Sequence, residues 1–188
     1  MLNFQLSPEQ LKIQKKAREF ALKEILPVAW YYDEIDETPL PVLKRAYESG
    51  LMNGGIPKKY GGEGWGLIEA VVLTEEFSAA CPGLATSIFD NSLGMEPLLL
   101  SKNEPLKKKY FAKILNAFKL ICFATSEPTM GSDVAGIRCK AERDGDDYIL
   151  NGTKYWITNG GIADYMSIFA TVDPDSQHEG ICAFLVER

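Results

Sequence analysis

Residues 119–125 read KLICFAT, and they mark the point where the hydrophobic pattern of the chain changes. Before this stretch, apolar residues recur every three or four positions, which is typical of helices with one buried face. After it they recur at every second position, as in half-buried strands. A block of helices followed by a block of strands indicates an α+β fold rather than a parallel α/β fold. We expect an amino-terminal α-helical domain over residues 1–120 and a β domain over residues 121–188.

The helical half begins with a clear start signal. Ser7 can cap the first helix, Pro8 suits its first position, and Gln10 is placed for a capping box. Pro27 is expected to end this helix. Four further helices are predicted at 41–49 with Gly50 as the C-cap, at 67–79, at 84–93 with a short apolar turn at 97–100, and at 105–118. The predicted buried face of the first helix consists of Ile13, Ala17, Phe20, Ala21 and Ile25.

A glycine-rich stretch at 54–66 separates the second and third predicted helices. It is a weak candidate for a phosphate-binding loop, because it lacks both the Gly-Lys-Ser/Thr ending of a P-loop and a preceding strand. The alternative is a tight connection between packed helices, which the turn chemistry favours.

The second half is predicted to form an antiparallel, β-barrel-like sheet that is truncated at residue 188. Asp144-Gly145-Asp146-Asp147 and Asn151-Gly152 are hairpin turn signals. His178 lies in a polar segment that is expected to be an exposed loop. The predicted strands cover 120–125, 137–142, 148–150, 154–158, 165–172 and 181–186.

Composition limits the classes of function. Lys plus Arg number 20 against 26 for Asp plus Glu, a net charge of −6, which argues against a nucleic-acid partner. Residues 1–7 lack a signal-peptide pattern, and no apolar run is long enough to span a bilayer. The cysteines are scattered, without a metal or redox motif, and are expected to be free buried thiols. These features favour a cytoplasmic protein without a bound metal.

Two stretches, 123–133 and 152–161, combine hydroxyl side chains, glycines and an aromatic residue at predicted strand ends. Taken separately, each is only a hydroxyl-rich turn beside a strand. On that interpretation Trp156 is a core tryptophan and Thr158 is a cross-strand neighbour.

Taken together, the stretches resemble the flavin-binding segments of the acyl-CoA dehydrogenase family, especially its straight-chain, medium- and short-chain members. Ser-Glu-Pro-x-x-Gly-Ser-Asp at 126–133 is similar to the first segment, and Gly-x-Lys-x-Trp-Ile-Thr-Asn-Gly at 152–160 to the second. Shorter similarities lie at 50–57 and 91–94. The resemblance extends through the whole chain, and it implies a carboxyl-terminal helical domain that these residues do not contain.

The resemblance implies FAD as cofactor and a set of site residues. The segment from Phe123 to Ser126 would hold the pyrimidine edge of the flavin, Trp156 would flank its ring, and Thr158 would lie near N5. Ser132 would contact both the flavin diphosphate and coenzyme A. The implied cofactor-binding residues are Phe123, Ala124, Thr125, Ser126, Glu127, Pro128, Thr129, Met130, Gly131, Ser132, Trp156, Ile157 and Thr158, and the implied substrate-binding residues are Ser132, Ala85 and Phe89.

The implied reaction is α,β-dehydrogenation of an acyl-CoA, with electrons passed to an electron-transferring flavoprotein by a homo-oligomeric enzyme. In the family the catalytic base is a glutamate of the carboxyl-terminal helical domain, so the resemblance implies a base beyond Arg188 and an inactive protein over these 188 residues alone. Glu127 matches a carboxylate that is structural in the family. The sequence departs from the family at Thr125 and at Thr129-Met130, whose side chains are expected to crowd the diphosphate. Alternatives are an enoyl-CoA reductase, an acyl-CoA oxidase, or a truncated paralogue that acts as an interaction module.

Overall fold

The structure is a computed structural model that describes residues 5–188, so the start of the segment tested for a signal peptide lies outside the described residues. The chain divides into two compact units. The first runs up to Ser92 and includes Asn103–Phe118, and the second consists of Leu93–Lys102 and Lys119–Arg188. Within residues 5–188 no helix is long and apolar enough to cross a membrane, and no cluster of side chains suits a metal ion.

Six α-helices precede the strands, and the predicted start of the first helix is confirmed. The Ser7 hydroxyl accepts a hydrogen bond from the Gln10 N–H at 3.2 Å, and the Gln10 side chain accepts one from the Ser7 N–H at 2.9 Å. This reciprocal capping box satisfies two backbone donors that a helix start leaves unpaired. The helices are α1 (Pro8–Phe20), α2 (Ala29–Ile35), α3 (Leu40–Glu48), α4 (Leu67–Ala80), α5 (Pro82–Leu100) and α6 (Glu104–Asn116).

The prediction that Pro27 ends the first helical run is wrong. A π-helical turn at Ala21–Ile25 and a 3-10 turn at Leu26–Val28 carry the chain on into α2, which the sequence patterns did not reveal. Pro27 stands in the first turn of the 3-10 segment, where its missing N–H has no partner to lose. The proline therefore changes the type of helix without ending it.

The core of the first unit forms where α1 packs against α4. Ala17 and Ile25 are fully buried, as the period of the first helix predicted, and Phe20 packs against the buried ring of Phe77 at 5.3 Å between centroids. The carboxylate of Glu76, only 6% exposed, accepts hydrogen bonds from Nε and Nη2 of Arg18, both at 2.7 Å. This pairing makes the burial of a charge tolerable.

The glycine-rich stretch is a tight connection. A Cβ at Gly54 would lie 2.0 Å from the Trp65 ring, and a Cβ at Gly62 would lie 2.0 Å from the carbonyl oxygen of Ile56. The backbone is bonded across the same contact, since the Trp65 N–H donates to the Gly54 carbonyl at 2.8 Å. The glycines allow two chain segments to touch, which confirms the interpretation that the turn chemistry favoured.

The second unit contains a five-stranded sheet. Its strands are β1 (Ile121–Ala124), β2 (Lys140–Asp144), β3 (Asp147–Asn151), β4 (Tyr165–Thr171) and β5 (Ile181–Glu187). β4 pairs with β1 in parallel and with β5 antiparallel, while β2 and β3 form a hairpin. The α+β class is confirmed, but the sheet is mixed rather than antiparallel. The parallel pair arises because a long crossover, instead of a hairpin, joins β1 to β4.

The predicted turn before β3 and the predicted loop around His178 are present, whereas Asn151-Gly152 does not lead into a strand. Gly145 turns the chain between β2 and β3 with φ of +61°, a conformation that glycine adopts without strain. His178 lies in the exposed segment Pro174–Gly180, between β4 and β5. The prediction of buried thiols holds for Cys122 and Cys139, whereas Cys81 is half-buried and Cys182 is exposed on β5.

Two element predictions are wrong for reasons of tertiary packing. The expected break near Pro97 is absent, and α5 continues through the proline to Leu100. Gly94, one turn earlier, lies so close to β1 that a Cβ there would be 2.6 Å from the Ile121 carbonyl oxygen, and its own carbonyl accepts a hydrogen bond from Ser167 at 2.7 Å. The helix around Pro97 is thus packed tightly against β1 and hydrogen-bonded to β4, and these contacts favour its continuation through the proline.

Residues 154–158 form no strand, contrary to the prediction. Trp156 has a left-handed backbone conformation with φ of 57°, and so has Asn159. A strand cannot continue through such residues, because extended backbone needs negative φ. The segment instead forms a loop that returns to the end of β1.

Candidate functional site

The two hydroxyl-rich stretches meet in the second unit. The backbone N–H of Tyr155 donates to the Ser126 carbonyl oxygen at 2.9 Å. The ammonium group of Lys154 donates to the Thr125 carbonyl oxygen, also at 2.9 Å. The end of β1 and the loop after β3 are therefore joined, and residues 125–132 and 154–158 form a single candidate site.

The buried carboxylate of Glu127 holds the two segments of this site together. Its side chain is 4% exposed and accepts hydrogen bonds from the backbone N–H groups of Arg138 at 2.8 Å and Cys139 at 2.9 Å, and from Lys154 at 2.8 Å. Burial alone would raise the pKa of this carboxyl. The hydrogen bonds from Lys154, Arg138 and Cys139 outweigh burial, and the pKa lies below its ordinary value. An ionised carboxylate with three donors is a structural anchor and a poor proton acceptor.

The Cys139 thiol next to this carboxylate stays protonated. Burial is the main cause that raises its pKa, and the negative charge of Glu127 adds to it, while Lys154 acts in the opposite direction. A thiol with a raised pKa is a weak nucleophile. Cys139 therefore belongs to the core of the sheet, not to a redox site.

Two polar groups at the end of β1 remain open. Among residues 5–188 nothing accepts a hydrogen bond from the Ser126 N–H, and the buried Thr125 hydroxyl oxygen has no hydrogen-bond partner. Open polar groups in a half-buried position are rare unless they meet water or a ligand. The pyrimidine edge of a flavin offers carbonyl oxygens and ring nitrogens that would satisfy them, so this end of the site fits the implied cofactor.

Trp156 lies beside these groups and is 84% exposed, so the interpretation as a core tryptophan is wrong. Its ring contacts Tyr155 edge to face, with 4.7 Å between centroids. A bulky residue with φ of 57° is a genuine backbone outlier, and such strain is concentrated at functional sites. A large exposed indole held in this way fits a wall for a planar ring. Ile157 and Thr158 follow it and are half-buried.

The loop after Glu127 has an outer and an inner face. Pro128, Thr129, Gly131 and Ser132 are exposed, and a Cβ at Gly131 would meet open space. Met130 is 7% exposed and packs into the core of the sheet with residues such as Ile137 and Ala170. The expectation that its side chain would crowd a diphosphate is therefore wrong. The methionine points inward because Glu127 and Met130 exchange backbone hydrogen bonds at 2.9 and 3.1 Å.

The first two residues of the implied set, Phe123 and Ala124, lie in β1. The Phe123 ring packs on Phe169 at 4.8 Å between centroids, and Ala124 is 3% exposed. Both residues pair in β1 with β4. The side chain of Ala124 is buried in the sheet, while Phe123 is half-buried beside Phe169.

Ala85 and Phe89 lie on α5, one helical turn apart, as their spacing predicts. Ala85 is 1% exposed. Phe89 is half-buried and stacks on Phe77 with 5.5 Å between centroids and 20° between ring planes.

One functional residue was missed by the sequence reasoning, which treated Lys154 only as part of a motif. A usable signal was present, because the stretch at 152–161 contains a single cation, Lys154, while the stretch at 123–133 contains two carboxylates, Glu127 and Asp133. Lys and Glu are almost never fully buried unless they are paired, so opposite charges in two segments of one candidate site indicate an ion pair.

Comparison with known proteins identifies the family of this chain. The model of the acyl-CoA dehydrogenase N-terminal domain matches residues 7–117, and the model of the middle domain matches residues 122–188. A probable medium-chain specific acyl-CoA dehydrogenase, mitochondrial, of Caenorhabditis briggsae is 36% identical over 99% of this chain and 46% of its own length. An acyl-CoA dehydrogenase of Bacillus subtilis is 37% identical over 97% of this chain and 48% of its own length.

Solved structures of similar fold match the chain over at least 99% of its length. A chain from the electron transferring flavoprotein study of Acidaminococcus fermentans superposes with a TM-score of 0.93 at 32% identity, over 100% of this chain and 50% of that chain. Butyryl-CoA dehydrogenase from Megasphaera elsdenii gives 0.91 at 29% identity, over 99% and 50%. PigA in its FAD complex gives 0.89 at 28% identity, over 100% and 50%. The chain thus spans about half the length of the curated relatives and solved chains it matches. It belongs to the acyl-CoA dehydrogenase family, whose members bind FAD.

Proposed function

We propose that the protein containing this chain is an FAD-dependent dehydrogenase that converts an acyl-CoA thioester to the 2-enoyl-CoA. The observation that carries the proposal is that polar groups of Thr125 and Ser126 without hydrogen-bond partners occur in the same site as the exposed indole of Trp156. The acyl-CoA dehydrogenases among the relatives support the choice of substrate class.

The chain's own residues would bind and orient the cofactor. The Ser126 N–H, with the hydroxyl groups of Ser126 and Thr125, would donate to and accept from the pyrimidine edge. Trp156 would cover part of the ring and exclude water from it, and the Thr158 hydroxyl would lie near N5. Bound FAD would supply the two-electron oxidant that takes the hydride from the substrate β-carbon.

The loop at 128–132 would face the diphosphate with its exposed backbone. Gly131 leaves room for close approach, since a Cβ there meets nothing within 4 Å. The neighbouring Ser132 hydroxyl is exposed and would contact both the diphosphate and the coenzyme A part of the substrate. Hydroxyl and backbone N–H groups are common partners of phosphate oxygens.

The α-proton would be taken by a carboxylate that is not part of this site. Glu127 does not suit the role, because its oxygens already accept three hydrogen bonds and its pKa is lowered. We propose that the base lies outside these 188 residues, as the resemblance implies. An electron-transferring flavoprotein as electron acceptor and a homo-oligomeric assembly belong to the same proposal.

The test is single-turnover reduction of the protein at its natural length. The FAD-loaded protein is mixed without oxygen with saturated acyl-CoA thioesters, and its visible absorbance is followed. We expect bleaching of the flavin and a product that has lost two hydrogens, identified by mass spectrometry. Bleaching by reduced pyridine nucleotide together with saturation of a 2-enoyl-CoA, and no reaction with acyl-CoA, would show the reductase instead. A protein that takes up FAD and reacts with neither substrate would contradict both activities.

A further inference from the structure

Lys154 is a buried cation with two acceptors in the candidate site. Its side chain is 10% exposed, and its ammonium group lies 2.8 Å from a Glu127 carboxylate oxygen and 2.9 Å from the Thr125 carbonyl oxygen. A buried lysine loses hydration and side-chain entropy, so a neutral residue would be the simpler choice for the core alone. The contact with the second acceptor, the Thr125 carbonyl oxygen, indicates a role for the lysine beyond neutralising Glu127.

The contact between Lys154 and the Thr125 carbonyl also fixes the orientation of the Ser126 N–H, because both groups belong to one peptide bond. Every peptide bond in the described part of the chain is trans, so a carbonyl and the N–H of the next residue point to opposite sides. Because Lys154 holds the Thr125 carbonyl, the Ser126 N–H must point away from Lys154. This N–H donates to no backbone acceptor among residues 5–188.

The next peptide bond, between Ser126 and Glu127, is held by backbone hydrogen bonds. It therefore cannot rotate to offset a change in the orientation of the Ser126 N–H. The Ser126 carbonyl accepts a hydrogen bond from the Tyr155 N–H at 2.9 Å, and the Glu127 N–H donates to Met130 at 2.9 Å. Of the two peptides around Ser126, one is therefore fixed from both ends by backbone. In the described part of the chain, the other is held by the Lys154 side chain.

We propose that Lys154 is a positioning residue, which aims the Ser126 N–H at the pyrimidine edge of the flavin by holding the Thr125 carbonyl from behind. Glu127 keeps the ammonium group in place with a carboxylate that the Arg138 and Cys139 N–H groups hold in turn. The inference rests on the proposed function, because it presumes that a flavin binds here.

The experiment compares two substitutions of Lys154 in the protein at its natural length. Lys154→Gln keeps a donor for the Thr125 carbonyl but removes the charge, whereas Lys154→Met removes both. Each flavin-free variant is titrated with FAD, and the dissociation constant is read from flavin fluorescence. We expect Lys154→Met to bind FAD about tenfold more weakly, the factor that about 1.4 kcal/mol produces, and Lys154→Gln to stay nearer the wild type.

Arg18→Met is the matched control, because it also removes the cationic partner of a buried glutamate, Glu76, but in the first unit. It should lower the melting temperature without changing FAD affinity. The proposal is overturned if Lys154→Met binds FAD as tightly as the wild type. It is equally overturned if Arg18→Met weakens binding as much as Lys154→Met does.

A readout without FAD separates this inference from the proposed function. In the flavin-free protein, amide hydrogen exchange of the peptide spanning 123–130 should be faster in Lys154→Met and unchanged in Arg18→Met. If the wild type binds no FAD but the exchange result is as expected, the proposed function fails while the positioning of Ser126 stands. Unchanged exchange in Lys154→Met contradicts the positioning itself.

If Lys154→Met does not fold, the double variant Lys154→Met with Glu127→Gln removes both charges and keeps an acceptor for the backbone N–H groups. Removing both members of a buried pair costs less than removing one. We expect this variant to recover stability and still to bind FAD weakly. Full recovery of FAD affinity in the double variant would overturn the proposal.

Discussion

The ring of Phe89 stacks on the ring of Phe77, with 5.5 Å between the centroids and 20° between the planes. Phe89 is held in one orientation by this contact, while part of it stays exposed. A fixed phenylalanine fills volume that an alkyl chain could use, and each methylene is worth about 0.8 kcal/mol on burial. If Phe89 lines the acyl site, the natural substrate is a short, branched or cyclic acyl group.

Phe89→Ala should therefore move the optimum acyl length to longer chains, measured as kcat/KM over a series of acyl-CoA thioesters in the protein at its natural length. Phe20→Ala is the matched control, because Phe20 packs on the same Phe77 ring at 5.3 Å but lies on α1. Both variants should lose stability, by about 3 kcal/mol at most for Phe89→Ala. An unchanged optimum in Phe89→Ala would show that the residue only packs in the core.

Asp90 is a buried carboxyl group without compensation. It is 5% exposed, and its Oδ2 atom has no hydrogen-bond partner in the part of the chain described. Burial raises the pKa of Asp90 to about 7. Asp90 therefore stays protonated in the folded protein over a pH range in which the unfolded chain has already lost this proton, from about pH 4 to about pH 7. The free energy of unfolding falls as pH rises through this range and then levels off.

Asp90→Asn removes this cost. We expect the variant to be more stable than the wild type by up to about 4 kcal/mol above pH 7, and equally stable near about pH 4. Urea unfolding across this pH range measures the difference. Asp146→Asn, in the exposed turn before β3, should change stability at neither pH. A constant gap between Asp90→Asn and wild type across the range would mean that Asp90 does not titrate there.

Glu127 should show the opposite pH dependence. Its pKa is lowered, so its contribution to stability is complete above about pH 4.3 and is lost as pH falls through the folded-state pKa. Glu127→Gln should cost about 2–3 kcal/mol at neutral pH, because Lys154 loses its charged partner, and the cost should shrink on acidification. Glu142→Gln on exposed β2 is the control. A cost that grows toward low pH would contradict this assignment.

Two neighbouring glycines test whether the 54–66 stretch is a packed connection. Gly54→Ala places a Cβ against the Trp65 ring, while Gly55→Ala meets nothing within 4 Å. We expect the first substitution to destabilise the protein by about 1–3 kcal/mol through overpacking and the second to be neutral. Thermal unfolding compares them directly. Equal melting temperatures would argue that the Gly54 contact is not maintained in solution.

Features that depend on local chemistry could be predicted from the sequence. The Ser7 and Gln10 cap and the turn at Gly145 are set by residues within a few positions of each other. The change of period after Lys119 separated helices from strands for the same reason, since each pattern reports which face of a local element is buried. These predictions did not require knowledge of the tertiary structure.

Features that depend on distant contacts could not be predicted. Pro97 stays within α5 next to contacts of Gly94 with Ile121 and Ser167, and no local pattern reports those. Residues 154–158 have a strand-like composition, but Lys154 is drawn to Glu127 and the chain turns at Trp156. The site was found through its motifs, whereas the anchoring role of Lys154 emerged only from three-dimensional contacts.

The central claim is that residues 125–132 and 156–158 bind FAD, and equilibrium titration of the flavin-free protein with FAD tests it most directly. The account predicts saturable uptake of one FAD per chain with quenching of flavin fluorescence. Trp156→Ala should weaken uptake strongly, and Trp30→Ala, which removes an indole 74% exposed in the first unit, should not. Absence of flavin uptake by folded wild-type protein, or equal uptake by the wild type and Trp156→Ala, would contradict it.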